Sequence, residues 1–431
     1  MDNILNNISM LIRLLKLIAM INLKQLQSGK SIYTHRSKER SRYQHLIQGI
    51  FLLIVFLFSN SAEGTIRRVG FFGVPLAGID YSNFTLANTA SSSGDTIYVY
   101  PGSASIVTGS IAKKLIIIGS GTWLDSTTVP KGNAALQAFA GVSLANNLNF
   151  LSGSSGSIMM GFDFQTYTIY IGDNNITLKR NLNCVVTLAV NPNPIGGSSP
   201  QTLNNIQLLE NYRLTVNAVY TGSVYTGLNI SNNLMTAFIL NTGCTYSGSI
   251  SNNVWAYDQT LSAALDGGAT TLSNNNQIDL GNGTFLFQNN LLNSYTSPSA
   301  ASNTNYFNFS NSNNTVFNYN VSLQGYNSNG WGVAGTGNIT SPVAAYNTFF
   351  QGFPAIGIRT ADDRYMLAAN SPGLIANRPG SSVDAGMFGG ISPYKLSTIP
   401  SIPTIYKLSS PQGNNPSGNT IQINLSTRGN N

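Results

Sequence analysis

The chain has 431 residues, and only 9 % are charged, against about 25 % in an average globular protein; Gly, Asn, Ser and Thr fill the gap. Aromatic and β-branched residues are plentiful, which excludes a disordered composition. The net charge of +7 gives little support for nucleic-acid binding: eight Lys/Arg against three Asp/Glu sit in residues 1–64, leaving 14 basic and 12 acidic residues, a net of +2, for residues 65–431.

Residues 1–64 read as a leader. Arg36, Lys38, Arg40 and Arg42 form a basic stretch, Leu46–Phe58 is a 13-residue apolar run interrupted by Gln48 and Gly49, and small residues suited to cleavage near Ala62 or Gly64 follow. The run falls short of the roughly 20 residues that cross a bilayer. The expectation is a cleaved signal peptide, a secreted or cell-surface protein, and no membrane span in the mature form. A membrane anchor or a buried strand is the alternative. Ile4–Ile21 reads as an amphipathic helix or as translation from an upstream start, and carries no functional argument.

Beyond the leader the chain reads as short strands and turns. Phe84–Ala90 is expected to cap the first coil. Thr96–Tyr100, Leu115–Ile118, Thr168–Ile171, Val185–Val190 and Ala237–Leu240 read as strands, and no segment sustains a convincing helical stripe. A unit Asn-Asn-apolar recurs at 146–148, 174–176, 204–206, 232–234, 252–254 and 289–291, with a degenerate copy at Asn318–Val321. The second asparagines are spaced 28, 30, 28, 20, 37 and 30 residues apart. Such a period marks a solenoid, propeller or array. Coils of this length suit a parallel β-helix, in which equivalent residues stack about 4.8 Å apart. Asn then stacks on Asn as a hydrogen-bonded ladder. The apolar residue after it is expected to point into the interior, and the repeat is expected to be architectural.

Gly94–Gly102 (GDTIYVYPG) and Lys113–Gly121 (KKLIIIGSG) resemble the opening coils of secreted right-handed parallel β-helix proteins of the pectin-lyase-like superfamily, with variants common in Bacteroidetes the most similar. Ala369–Gly380, Asp384–Tyr394 and Ile399–Leu408 resemble the segment that closes such helices. The resemblance covers residues 80–410. It implies an all-β, right-handed, single-stranded parallel β-helix with capping segments, and polysaccharide as the substrate class. The motifs mark fold and secretion rather than catalysis.

No histidine follows the leader, so Ser-His-Asp and Cys-His chemistry and His-containing zinc sites are excluded. Cys184 and Cys244 fall two coils apart, too far for a disulfide, and are expected to be buried free thiols. Arg180, Glu210 and Asp258 each lie five residues after an Asn-Asn turn. In that register Arg180 stacks beside Glu210, with Asp258 two coils from Glu210 on the same column, Phe238 between them, and Lys179 and Arg213 nearby. A lyase or hydrolase would use these three as catalytic groups. The plainer reading is a surface ion pair. Calcium enters only for a lyase, with Asp173 and Asp279 as possible ligands; otherwise no cofactor is expected. Tyr212, Trp255 and Tyr257 are candidates for stacking on sugar rings, against a plainer reading as core rings.

Pro393, Pro400, Pro403, Pro411 and Pro416 punctuate the tail, and proline ends ladders. The expected division is leader 1–64, β-helix with N-terminal cap 65–390, and capping tail 391–431, with Ile399–Leu408 along or over the last coil. Thr420–Thr427 alternates like one more strand. The functional expectation is an exported, non-catalytic protein whose partner is a polysaccharide or cell-surface glycan, binding or adhesive in role. The alternative is a polysaccharide lyase or glycoside hydrolase acting on acidic glycans.

Overall fold

The computed structural model describes residues 64–70, 80–100, 109–122, 147–165, 167–189, 200–218, 220–241, 243–258, 278–295, 307–308, 314–323, 335–341, 349–351, 362, 365–400, 404–409 and 424–428. The signal-peptide reading and the Ile4–Ile21 helix lie outside them. No helix among the described residues is long and apolar enough to cross a membrane.

Gly64–Asn431 forms one compact unit built on two long, all-parallel sheets, a parallel β-helix solenoid. The chain visits the sheets in alternation. In the middle coils Gln207–Leu209 of the first sheet leads into Tyr212–Ala218 of the second, Val224–Ser231 leads into Leu234–Leu240, and Thr245–Ser251 leads into Val254–Asp258. Alternate residues face inward and stack by register. Leu178, Leu208, Ile230, Ile250, Phe287 and Phe317 form one buried column. Ile169, Val186, Val216, Phe238 and Ile278 form another on the opposite sheet. The helix Phe84–Ala90, N-capped by the Asn83 side chain, buries Phe84 and Ala87 against the first coils. Cys184 and Cys244 are free and buried. Burial pushes the Cys184 thiol up.

The Asn ladder exists: from Asn233 to Asn320 its members are the second asparagines of the repeat, whereas the copies at 174–175 and 204–205 lie in a different phase. Its members are Asn181, Asn211, Asn233, Asn253, Asn290, Asn320 and Asn338. Each of the first six donates its side-chain amide to the side-chain oxygen of the next, at 2.9–3.1 Å, and also through its backbone N–H to the same oxygen. Asn174–Asn175 and Asn204–Asn205 belong to a different turn, six residues earlier, at the entry to the first sheet. Their side chains bond to each other at the surface, with Asn205 Nδ2 donating to Asn175 Oδ1 over 2.9 Å. Ile176 and Ile206 then enter the core there, as expected.

At the ladder corner the expectation of an inward apolar residue is overturned. The inward position is taken by the ladder Asn, so the next residue must point out. Leu182, Tyr212, Leu234, Val254, Leu291 and Val321 form a second apolar cluster outside the main core. Phe349, Phe350, Ala385, Met387 and Tyr394 bury them. The segment 365–400 is therefore a strap along the flank, and among the described residues the ladder strands end earlier, at Ile339–Ser341. The strap crosses the coils in reverse order. Arg378 bonds the Asn289 side chain and the Tyr319 carbonyl, Asn252 and Asn232 donate to the Asp384, Met387 and Gly389 carbonyls, and Arg180 reaches Ile399. Thr398 Oγ1 lies 2.7 Å from Thr122 Oγ1. Ile399 thus covers a middle coil rather than the last one. Gly386, at φ +83°, passes so close that a Cβ would sit 2.6 Å from Leu291. The tail strand is Asn424–Arg428, antiparallel to Thr404–Ser409.

At the first coil, Asp95 accepts from the Thr65 and Ser92 backbone at 2.8 and 2.9 Å and from Arg67 Nε at 2.8 Å. Burial pushes its carboxyl up, but the Ser92 and Thr65 amides and the Arg67 guanidinium outweigh that and leave it below the usual carboxylate range. A depressed carboxylate contributes stability above its unfolded pKa and loses that contribution as pH falls through the folded value. Denaturant midpoints should therefore fall below about pH 4; Asp95→Asn should be less stable than wild type at pH 7, with a smaller loss on acidification.

The two turns also differ in expected cost. Asn253 donates to Asn290 Oδ1 and the Ile230 carbonyl and accepts twice from Asn233, all buried. Asn253→Leu orphans these groups and should cost about 3 kcal/mol or more in equilibrium unfolding. Asn205→Gly, at an exposed turn with φ +56°, should stay within about 1 kcal/mol of wild type.

Candidate functional site

The residue before each ladder Asn sits in the left-handed region: Arg180, Glu210, Asn232, Asn252, Asn289 and Tyr319 have φ between +53° and +58°, and Gly337, before Asn338, has φ +68°. This conformation turns the chain from the first sheet to the second and aims the side chain outward, beneath or beside the strap. Asn takes it at little cost, whereas Arg, Glu and Tyr need support from their surroundings.

Arg180 and Glu210 are stacked as expected. Arg180 Nε lies 2.6 Å from Glu210 Oε2, and Lys179 Nζ lies 3.0 Å from Glu210 Oε1. The pair is not on the surface: both side chains are 2 % exposed. Arg180 Nη1 also donates to the Ile399 carbonyl of the strap at 2.9 Å. Nearby, Tyr394 donates to Asp362 Oδ2 at 3.1 Å. Burial, then the charges of Asp362 and Glu210 and the neighbouring Tyr212, hold the Tyr394 phenol well above its ordinary range. Both oxygens of Glu210 are thus bound by cations, beneath a strap that closes the site.

Asp258 does not join this group. The column continues from Glu210 as Asn232, Asn252, Asn289 and Tyr319, because Leu209, Ser231, Ser251, Gln288 and Asn318 are register partners. Asp258 lies in the second sheet, paired with Tyr295. Phe238 lies there too, in the interior, so it does not separate Glu210 from Asp258 as expected. Tyr212 and Trp255 are 1 % and 0 % exposed, Tyr212 under the strap and Trp255 stacked on Phe287 at 5.6 Å. Neither is open to a sugar ring. Tyr257 pairs with Ser294 in the second sheet, and its side chain lies outside the description. Asp173 accepts the Gly153, Ser155 and Asn174 backbone amides, and Asp279 accepts the Gly281 amide, so both carboxylates close local turns. Among the described residues no group of three or more His, Cys, Asp or Glu is placed to hold a metal ion.

An open site does exist on the same flank. A groove of about 400 Å³ runs between the outer face of the first sheet and the strap. Its floor is Asn229, Ser231, Ser251 and Gln288, Tyr319 closes one part, and residues 380–383 and 390–392 form the far wall. Among the described residues, no Asp, Glu, Lys, Arg or His lines it. Asn232, Asn252 and Asn289 bond the strap and fix that wall. Behind it Arg378 is 1 % exposed and bonds Asn289, the Tyr319 carbonyl and the Val383 carbonyl. Burial lowers its pKa to about 10, so it remains charged at neutral pH. Sequence reasoning missed the groove. The polar outward run Asn229, Ser231, Ser251 was visible, but the strap that makes it a concavity was not.

No family model matches the chain, and no curated protein and no solved structure matches it.

The Arg180–Glu210–Lys179 group acts as a structural clamp in this geometry. Glu210→Gln leaves a buried guanidinium without its counter-charge and should cost about 3–5 kcal/mol. The double variant Arg180→Met/Glu210→Met should recover much of that loss in denaturant unfolding, because it removes both charges.

Proposed function

We propose that this is an exported, non-catalytic protein of the cell surface or secretome that binds glycans or contributes adhesion. The architecture would be the right-handed, single-stranded plan of the pectin-lyase-like proteins that its opening and closing segments resemble. One observation carries the reading: among the described residues the open groove is lined mainly by amides, hydroxyls and backbone, with Tyr319, Val383 and Ile391 but no carboxylate, ammonium, guanidinium or imidazole, while Glu210 is buried and bound on both oxygens. Glycoside cleavage needs two working carboxylates across the bond, and elimination needs a base. Neutral polar grooves suit recognition of hydroxylated ligands without chemistry.

The test is incubation of the purified protein with acidic and neutral polysaccharides, with and without calcium. The expected outcome is retention on at least one polysaccharide, with no new reducing ends and no unsaturated sugars. Appearance of either product would make the protein a hydrolase or lyase and overturn the reading.

A further inference from the structure

We propose that the groove takes a neutral, hydroxyl-bearing sugar chain laid across the coils, and not an acidic one; this rests on the reading of the protein as glycan-binding. A carboxylated sugar would shed water against a lining whose described residues offer no cation, and an unpaired desolvated charge is costly. The nearest buried guanidinium, Arg378, lies behind the wall and is held by Asn289, Tyr319 and Val383. A sugar hydroxyl needs only the donors and acceptors that amides and serines provide.

The hydrogen bonding on the sheet surface gives the groove a polarity. Asn229 Nδ2 donates to Gln207 Oε1 at 2.7 Å, Gln207 to Asn205 at 2.6 Å, Asn205 to Asn175 at 2.9 Å, and Asn175 to Ser155 at 3.0 Å. Every amide in this chain donates away from the groove. Asn229 therefore presents its oxygen at the groove end, and a polarised chain strengthens its terminal acceptor. That end accepts a hydroxyl proton and repels an anionic oxygen. Ser231, Ser251 and Gln288 continue the floor on three successive coils, in register, about 4.8 Å apart. That spacing approaches the length of one pyranose unit, so a chain across the coils meets a polar side chain at each step. Tyr319 at one part of the groove and Ile391 at the wall, 99 % exposed, offer apolar surface to the C–H faces of the sugar rings.

The test uses the purified protein in quantitative binding to matched neutral chains (glucan, mannan, xylan) and uronic-acid chains. Neutral chains should bind and uronic-acid chains should not. Ser251→Glu, which fills and charges the floor, should weaken neutral binding by at least about tenfold. Ile391→Ser should weaken it severalfold; its side chain is free in solvent, so the unfolding midpoint should not move. Preference for uronic-acid chains, or neutral binding unmoved by both variants, would overturn this assignment and leave glycan binding standing elsewhere on the molecule. Retention on no chain of either kind would overturn both.

Discussion

A buried primary amide has two donors and an acceptor to satisfy, and the structure is organised around meeting that demand once per coil. Each ladder Asn turns inward at the corner between the sheets, where a carbonyl from an earlier coil and the amide oxygen of the next take its protons. No water is needed, and none of the bonds tolerates a slip in register, because a shift of one residue would leave both partners buried and unpaired. The ladder therefore sets the alignment of neighbouring coils more sharply than the strands do. Several of those strands are only three residues long.

The rest of the flank follows from that choice. With the amide inside, the preceding residue must adopt a left-handed conformation and the following one must face out. The outward apolar column then requires a cover, and Phe349, Phe350 and the 365–400 strap supply it. At two coils the left-handed position carries Arg180 and Glu210 in place of Asn. Their mutual charge, with Lys179, lets these residues be buried where the strap passes over them. Where the strap stands off the sheet instead of lying on it, the groove opens. The clamp and the groove are two outcomes of one geometry.

Much of this was legible in the sequence, and the failures have a common origin. The period, the parallel strands, the buried free thiols and the stacking of Arg180 on Glu210 were all readable. The phase was not, because two turns share the same wording. In Asn204-Asn205-Ile206 the apolar residue goes in, whereas in Asn252-Asn253-Val254 the second Asn goes in. Arg180 and Glu210 were each counted from the first kind of turn, so the same offset applied to both and their alignment survived. Asp258 was counted from the second kind and landed on the other sheet. The burial of Tyr212 and Trp255 follows the plainer reading of them as buried rings, Trp255 in the core and Tyr212 under the strap. The groove was out of reach because its floor, residues 229–289, and its far wall, residues 380–392, come from separate parts of the chain.

Most solenoids are assembled from neighbours, each coil resting only on the one before it. The strap changes that. Thr122 and Thr398 are 276 residues apart and in contact, and between them the chain has retraced its own path down the flank. During synthesis the outward column from Leu182 to Val321 is complete long before the residues that cover it have left the ribosome. The emerging chain thus carries a row of uncovered apolar side chains until residues 349–394 follow. Translation order alone gives this protein an interval in which it is wound but still adhesive to its own kind.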